Sequence, residues 1–565
     1  MIKIENLTFT YPGAEKPSLK NISLKIADGD FVAIIGNNGC GKSTLCKTMN
    51  GLIPHFIAGN MEGQVKIDGV DTLTSDIGEL AQKVGYVYQD FENQIVRPTV
   101  LDDASFACLN YAMKDYRNMG ERALRMCGIA QKKNDYIWQL SGGQKHLLAL
   151  AGMIALNTRV LILDEPIAQL DPAHAKQIYD VLKNLNEEYG MTIIVIEHHT
   201  EFIASYCNHV FLMKQGEICW KLPAKEAMRR VEELKENNIF PPQVTIAAGR
   251  LKECGILPKT TELPTTVEEG TETFGSLTLQ KQEKRTYPKA VQNLTKNIEF
   301  SHVTVKYRAV KGESCPIFSD FSLSIHKGEK IALIGSNGAG KTTLMKLIMG
   351  LVKPETGDVR LDGKDTKNIS AEELSNCISL VYQNPEEMFI KDTIRGDIEF
   401  AMKARKVERY RERTEELLSR FRLEDLSHRD GRLLSGGQMR RASLAVGIAL
   451  NPSILLLDEP TANLDIATRR ELIQTLNQLK DVTETVLIAT HDMQLVCDWA
   501  ERIIVLSEGR VIADGDRDTI FSNAYVLSHV GIRAPEIFDM GYRLTPNARC
   551  YTVEEFVGLF ERRAG

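Results

Sequence analysis

Apolar residues in this chain fall into two kinds of run. Short unbroken runs, "FVAII" (Phe31–Ile35) and "IALI" (Ile331–Ile334), lack the alternation of a half-exposed strand. They predict strands buried on both faces, as in a parallel sheet. "RVLILDE" (Arg159–Glu165) and "SILLLDE" (Ser453–Glu459) are of the same kind, but each ends on two acids. Longer stretches carry apolar residues at helical spacing: "STLCKTMNGL", "TTLMKLIMGL", "KHLLALAGMIAL" and "MRRASLAVGIAL". Buried strands alternating with helices predict an α/β fold. The longest apolar run, "LLALAGMIAL", stops at Asn157-Thr158-Arg159 and falls well short of the ~20 residues that cross a bilayer.

The whole pattern occurs twice. "LSGGQ" stands at Leu140–Gln144 and Leu434–Gln438, "LILDEP" at Leu161–Pro166 and "LLLDEP" at Leu455–Pro460, all offset by 294 residues. Gln89 and Gln383 share that offset. The pairs Tyr11/Tyr307, Gly36/Gly335 and His198/His491 depart from it by a few residues, the size of small loop insertions. The duplication extends into the tails. "PPQVTIAAGRLKECGILP" (Pro241–Pro258) resembles "APEIFDMGYRLTP" (Ala534–Pro546), and "TTVEE" (Thr265–Glu269) answers "YTVEE" (Tyr551–Glu555). Gly270–Asn297 has little apolar periodicity and predicts a flexible tether.

Directly after each of the first two strands comes a glycine-rich loop. "GNNGCGKST" comprises Gly36, Asn37, Asn38, Gly39, Cys40, Gly41, Lys42, Ser43 and Thr44. "GSNGAGKTT" comprises Gly335, Ser336, Asn337, Gly338, Ala339, Gly340, Lys341, Thr342 and Thr343. Both fit G-x-x-x-x-G-K-[ST], a phosphate-binding loop. Glycines allow a tight turn and close backbone approach. Backbone N–H groups and the following helix N-terminus favour anions. Lys42 and Lys341 would reach the β- and γ-phosphates of a nucleotide, and the Ser43 and Thr342 hydroxyls would ligate Mg²⁺. A chance glycine turn is the bland alternative. Two such loops, each between a strand and a helix, count against it.

These motifs resemble the nucleotide-binding domains of ABC ATPases, and the likeness covers nearly the whole chain. The "LSGGQ" motif discriminates, because many NTPases have a phosphate loop and this second motif marks ABC proteins. The resemblance implies two P-loop ABC-type domains in tandem, each α/β with a helical subdomain and a small C-terminal extension. The implied boundaries are 1–229 and 230–269 for the first domain and its extension, 270–297 for the linker, and 298–525 and 526–565 for the second pair. Asp164 and Asp458 would hold Mg²⁺ with Ser43, Thr342, Gln89 and Gln383. Glu165 and Glu459 would polarise the attacking water, and His198 and His491 would touch the γ-phosphate. Tyr11 and Tyr307 would stack on adenine. Ser141, Gly142, Gly143 and Gln144, with Ser435, Gly436, Gly437 and Gln438, would cap nucleotide bound to the opposite domain. The implied assembly is an intramolecular pseudo-dimer that closes head-to-tail around two ATP.

The copies differ in places. "LSGGQKHL" lacks the arginine of "LSGGQMRR", "IEHHTE" stands against "ATHDMQ", and "QDFENQ" faces "QNPEEM", so Gln94 is answered by Met388. Neither copy lacks its glutamate or histidine, so both are expected to hydrolyse ATP. The eleven scattered cysteines, with no C-x-x-C pair, suggest reduced thiols rather than a disulfide framework or zinc site. Cys40 reads either as a tolerated small residue or as a thiol-sensitive position in the loop.

Three uses of the ATP compete. "TVLDDASFA" (Thr99–Ala107), "TIRGDIEFA" (Thr393–Ala401) and the "TVEE" tails resemble ATPases of energy-coupling-factor importers, which include cobalt and nickel uptake ATPases. That reading implies a transmembrane scaffold (T-type) subunit and a substrate-binding (S-type) membrane subunit, at the cytoplasmic face of the membrane. A fused sugar-importer ATPase has similar length, but there one copy usually departs from the active set. A ribosome-associated ABC protein of the F subfamily would carry a long charged hairpin, which Pro241, Pro242, Pro258, Pro264 and Pro288 oppose. A net charge of −6 also argues against a nucleic-acid partner.

Overall fold

The computed structural model describes residues 1–565 except 168–169, 171, 280–294, 307–315, 337, 463, 465, 480–482, 546–547 and 561–565. The chain forms two compact units. The first is drawn from Met1–Gln280, Asp539–Ala548 and Val553–Gly565, the second from Lys281–Phe538 and Arg549–Thr552.

Among the described residues the first unit holds ten strands: β1 (Ile2–Thr10), β2 (Leu19–Ile26), β3 (Phe31–Ile35), β4 (Asn60–Ile67), β5 (Val70–Asp71), β6 (Val84–Val87), β7 (Val160–Asp164), β8 (Thr192–Ile196), β9 (His209–Lys214) and β10 (Glu217–Pro223). The second repeats them as β11 (Lys296–Lys306), β12 (Pro316–His326), β13 (Lys330–Gly335), β14 (Thr356–Leu361), β15 (Lys364–Asp365), β16 (Ile378–Val381), β17 (Ile454–Asp458), β18 (Thr485–Ala489), β19 (Arg502–Ser507) and β20 (Arg510–Gly515). In each unit an antiparallel four-stranded sheet accompanies a six-stranded one. The orders are β2-β1-β4-β5 with β10-β9-β3-β8-β7-β6, and β12-β11-β14-β15 with β20-β19-β13-β18-β17-β16. The central strands are parallel, and only β9/β10 and β19/β20 run antiparallel within the six.

The unbroken apolar runs have a direct physical reason. Successive side chains of a strand point to opposite faces, and here both faces are covered. Phe31, Ala33 and Ile35 join Leu161, Leu163, Ile193 and Val195 in one core, while Val32 and Ile34 join Val160, Ile162, Ile194 and Ile196 in another. In the second unit Leu456 and Leu487 face one core and Leu455, Leu457 and Ile488 the other. Full burial of each such side chain contributes ~1.5–3 kcal/mol. A charged residue at Ile34, which is 0 % exposed, would leave an unpaired ion in that core.

The expected boundary between 269 and 270 cuts through a helix. Thr266 caps Val267–Phe274 by accepting from Glu269 N, and Phe274 is buried. Within the first unit Phe274 packs edge-on against Phe556 at 5.2 Å, and Arg543 pairs with Glu268 at 3.0 Å. Gly270, the first residue of the expected tether, instead admits the sulfur of Met540, 2.7 Å from where a Cβ would stand. The second extension, expected over 526–565, is likewise divided, since Asp539–Ala548 belongs with the first unit. Most of the expected tether, residues 280–294, lies outside the described residues. The described part of the segment between the two copies holds three short helices, Val231–Glu236, Gln243–Glu253 and Val267–Phe274.

Candidate active site

Both phosphate loops leave the C-terminal end of a central strand and enter a helix, Lys42–Met49 or Lys341–Ile348. Two glycines in each are required by geometry. A Cβ on Gly36 would lie 2.4 Å from the Met213 carbonyl oxygen of β9, and one on Gly335 2.3 Å from that of Leu506 on β19. Gly41 and Gly340 cap the helices with φ of 107° and 106°, in the left-handed region. The lysines are buried and turned back into the loops. Lys42 Nζ donates to Gly36 O at 2.7 Å and Asn37 O at 3.1 Å, and Lys341 Nζ to Gly335 O at 2.7 Å and Ser336 O at 3.3 Å. Each loop thus concentrates a buried cation at the head of a helix. Asn38 and Gly39 in the first loop and Gly338 in the second stand at the exposed loop tips. Asn337 lies outside the described residues.

Cys40 and Ala339, equivalent in the two loops, are both buried. Burial raises the Cys40 thiol above its ordinary value, with Lys42 only partly opposing it. A protonated, covered thiol is a packing residue, which favours the first of the two readings of Cys40. Tyr11 stands beside the first loop, its hydroxyl 3.1 Å from Thr44 Oγ1. Tyr307 lies outside the described residues, and Thr343 is buried in the second loop's helix.

The acids ending β7 and β17 divide as their positions in the strand require. Asp164 and Asp458 keep strand geometry and face the hydroxyls of the loop helices. Thr342 Oγ1 donates to Asp458 Oδ2 at 3.1 Å, and Ser43 bonds Asp164 in the same way. Burial raises both carboxyls, and these hydroxyl bonds partly offset it. Glu165 and Glu459, one residue on, adopt φ of 51° and 44°. Few non-glycine residues occupy that region, and the strain turns each glutamate out of the strand's alternation. Glu165 Oε2 accepts from Gln89 Nε2 at 2.8 Å, and Oε1 lies 3.2 Å from His198 Nε2. Glu459 Oε2 accepts from the His491 backbone N–H at 3.2 Å, and His491 Nε2 lies 3.1 Å from Lys341 Nζ. Burial pushes the Glu459 carboxyl up to about 7, with Lys341 opposing.

In each unit the structure therefore brings together phosphate-loop lysine and hydroxyl, aspartate, glutamate and histidine. Gln89 joins this cluster through its side chain, and Gln383 is held beside it through its backbone carbonyl, which accepts from Arg440 at 2.7 Å. The "LSGGQ" residues do something else within their own unit. Ser141 and Gln144 form a reciprocal capping box on the helix Gly142–Ile154, with Gln144 Oε1 accepting from Ser141 N at 3.1 Å and Ser141 Oγ from Gln144 N at 3.3 Å. Ser435 and Gln438 cap Gly436–Gly447 likewise. Among the described residues, the hydrogen bonds of Ser141 and Gln144 stay at this helix terminus. Gly143 and Gly437 sit so close to His174 and Thr468 that a Cβ would collide with either side chain.

Several supporting residues escaped sequence reasoning. Glu197 is 2 % exposed and follows an apolar strand, which was its only signal. It accepts the backbone N–H groups of His198 and His199 at 2.7 and 2.9 Å and His199 Nδ1 at 2.7 Å. Burial opposes its ionisation, but His199 and these donors hold it below the usual carboxylate range. In the second unit Thr490 replaces it, accepting from Asp492 N at 3.0 Å. Tyr86 donates its hydroxyl to Asp164 Oδ2 at 3.1 Å. Its counterpart Leu380 has no such group.

Comparison with known proteins agrees with this geometry. The family model described as "ABC transporter" matches residues 19–168 and 318–462. An ABC transporter ATP-binding protein of Methanosarcina acetivorans is 30% identical over 100% of this chain and 92% of its own length. One from Methanosarcina mazei is 32% identical over 100% of this chain and 97% of its own. Among solved structures, cbiO1 of Clostridium perfringens, described as part of the ABC transporter complex cbiONQ, is 33% identical with a TM-score of 0.39, covering 45% of this chain and 98% of that one. Two loop-and-acid clusters on matching sheets, and a family match on both copies, lead to one conclusion: the chain belongs to the ABC transporter family and is an ATP-binding, ATP-hydrolysing protein with two of the family's ATPase domains in tandem.

Proposed function

We propose that this chain is the ATPase of an energy-coupling-factor type importer and that its two domains close head-to-tail around two ATP. One site would join Lys42, Asp164 and Glu165 to Ser435, Gly436 and Gly437. The other would join Lys341, Asp458 and Glu459 to Ser141, Gly142 and Gly143. The observation that carries this reading is that each unit holds a complete loop-and-acid cluster, while its own "LSGGQ" is committed to capping a separate helix. Helix N-termini present N–H groups suited to phosphate oxygens. A tether keeps the two halves at an effective concentration of order millimolar.

Mg²⁺ fits the donor set present. In each cluster a loop hydroxyl meets an aspartate oxygen, Ser43 with Asp164 and Thr342 with Asp458, and hard oxygen donors suit that ion. When bound it would neutralise charge developing on the phosphates. Glu165 and Glu459 would orient water, with His198 and His491 placed at the same carboxylates.

Import is supported by "TVLDDASFA" and "TIRGDIEFA", which form capped helices after the glutamine loops. Thr99 and Thr393 are the caps, and Asp103 and Asp397 accept loop N–H groups at 2.7–2.9 Å. Val96 and Ile390, 57 % and 64 % exposed, offer apolar contact at the same place for coupling helices of a T-type scaffold paired with an S-type subunit. Among the described residues no helix is long and apolar enough to cross a membrane, so the transport path falls to such partners. The cargo would be a vitamin, a vitamin precursor or a metal ion.

The pairing is tested in a chain whose second glutamate is replaced, E459Q. There S435E is expected to abolish the remaining turnover and S141E to leave it. The reverse result overturns head-to-tail pairing. The transport assignment is tested by purifying tagged protein from its host. Recovery with membrane subunits supports it, and sedimentation with ribosomes and never with membranes defeats it.

A further inference from the structure

Three corresponding positions differ together between the two copies, and the structure shows them to be one device. In the first unit Gln94 spans the base of the glutamine loop. Its Nε2 donates to Tyr86 O and its Oε1 accepts from Tyr88 N, both at 2.9 Å. Tyr88 precedes Gln89, whose side chain holds Glu165. In the second unit Met388 takes the place of Gln94 and has no polar group to do this. There Arg440, 3 % exposed on the "LSGGQ" helix, reaches the loop backbone at the counterparts of Tyr88 and Gln89. Its Nη1 donates to Tyr382 O at 2.9 Å and its Nη2 to Gln383 O at 2.7 Å.

The position of Arg440 in the first unit is His146, 2 % exposed, and among the described residues neither of its ring nitrogens has a hydrogen-bond partner. It packs on Phe91 with ring centroids 4.3 Å apart. The counterpart of Phe91 is Pro385, a smaller side chain with no aromatic ring to stack on the residue at position 440. Each copy therefore holds the base of its glutamine loop differently: the first through a neutral amide within the loop, with Lys145 of the signature helix pairing further along with Glu92 at 2.9 Å, the second through a charge-assisted pair from the signature helix to the loop backbone.

We propose that Gln94 and Arg440 are equivalent positioning residues, each holding its own glutamine loop for hydrolysis, and that Phe91/Gln94/His146 and Pro385/Met388/Arg440 are interchangeable sets. This rests on the ATPase activity and not on the importer assignment. Losing a tether frees the loop without touching the phosphate-binding groups, so it acts on kcat and not on ATP affinity.

The test uses the full chain with the opposite site silenced, so that a single site is read: Q94M is made in E459Q, R440H in E165Q, and each is compared with its parent. Q94M and R440H are each expected to lower kcat for ATP by about 3- to 10-fold, the worth of one to two such hydrogen bonds, with KM for ATP within about twofold. Transplanting the whole set, F91P/Q94M/H146R in the first copy or P385F/M388Q/R440H in the second, restores most of the lost rate. Amide exchange at Tyr88 and Gln89 accelerates in Q94M, a readout that does not depend on the triple variants folding. Unchanged kcat and unchanged exchange in Q94M overturn the proposal. So do folded transplants no faster than the single variants.

Discussion

Gln89 Nε2 donates to Glu165 Oε2 at 2.8 Å, so the residue two positions beyond β6 is bound to the acid directly beyond β7. These strands are neighbours in parallel register, with Val87 opposite Leu163, which delivers both side chains to the same edge of the sheet. Removing the acid and removing its partner should therefore differ. E165Q and E459Q are each expected to lower turnover by at least about half, and the double variant by roughly 10²-fold or more. Q89A should lower kcat by a smaller factor, roughly tenfold at its site, because the acid remains but is no longer oriented. Phosphate release at saturating ATP measures all four. Full activity in either single glutamate variant would mean that its site is idle in the natural chain.

The left-handed backbone at Glu165 and Glu459 makes a stability prediction separate from chemistry. A β-branched residue tolerates that region worst. E165I should be less stable than E165Q by ~1–2 kcal/mol, although both lack the carboxylate. Denaturant midpoints of the two variants decide it. Equal midpoints would show the strain to be without cost.

His146 supplies a pH dependence. Burial lowers its imidazole from the ordinary value of 6.5 to about 4. The unfolded chain therefore takes up this proton more readily than the folded one. The stability that comes from keeping the ring neutral is complete above pH 6.5 and is lost as pH falls through 4. The difference amounts to ~3 kcal/mol. H146L should flatten the acid limb of the thermal midpoint between pH 6.5 and 4, compared with the unaltered chain. An acid limb of the same slope in both would exclude this histidine as its source.

Cys40 should behave as packing. C40A copies Ala339 of the other loop and is expected to keep ATPase activity within about twofold, as small buried-to-small changes in a collapsible site do. In native protein a maleimide should modify the exposed Cys219 and Cys254 first and spare Cys40. Peptide mapping of the labelled protein checks this. Rapid loss of activity on modification of Cys40 alone would restore the thiol-sensitive reading.

Much of the candidate site was legible because its chemistry is local in sequence. The loops of Gly36–Thr44 and Gly335–Thr343 need glycine, lysine and a hydroxyl at fixed spacing. Each core strand advertises its burial by an unbroken apolar run. Glu197, Tyr86 and Arg440 were harder to find, because their partners lie on other strands or helices. Nothing near Glu197 in the chain announces that Tyr179, 18 residues earlier, will donate to it at 3.0 Å. The boundary at Gly270 failed for the same reason. Low apolar periodicity reads as a tether until the distant residues that pack against it, Met540 and Phe556, are known.

By itself the sequence determined the α/β duplication, the order of the strands' apolar runs and the residue types at each phosphate loop. Those follow from period, spacing and backbone freedom along a single stretch of chain. Tertiary structure alone decided that Gln94 and Arg440 serve equivalent loops, that the tail helix Val267–Phe274 lies against Phe556, and that Glu165 and Glu459 are twisted out of their strands. Each depends on which distant groups meet in a close-packed interior, where one carbonyl or ring fixes what its neighbour can be.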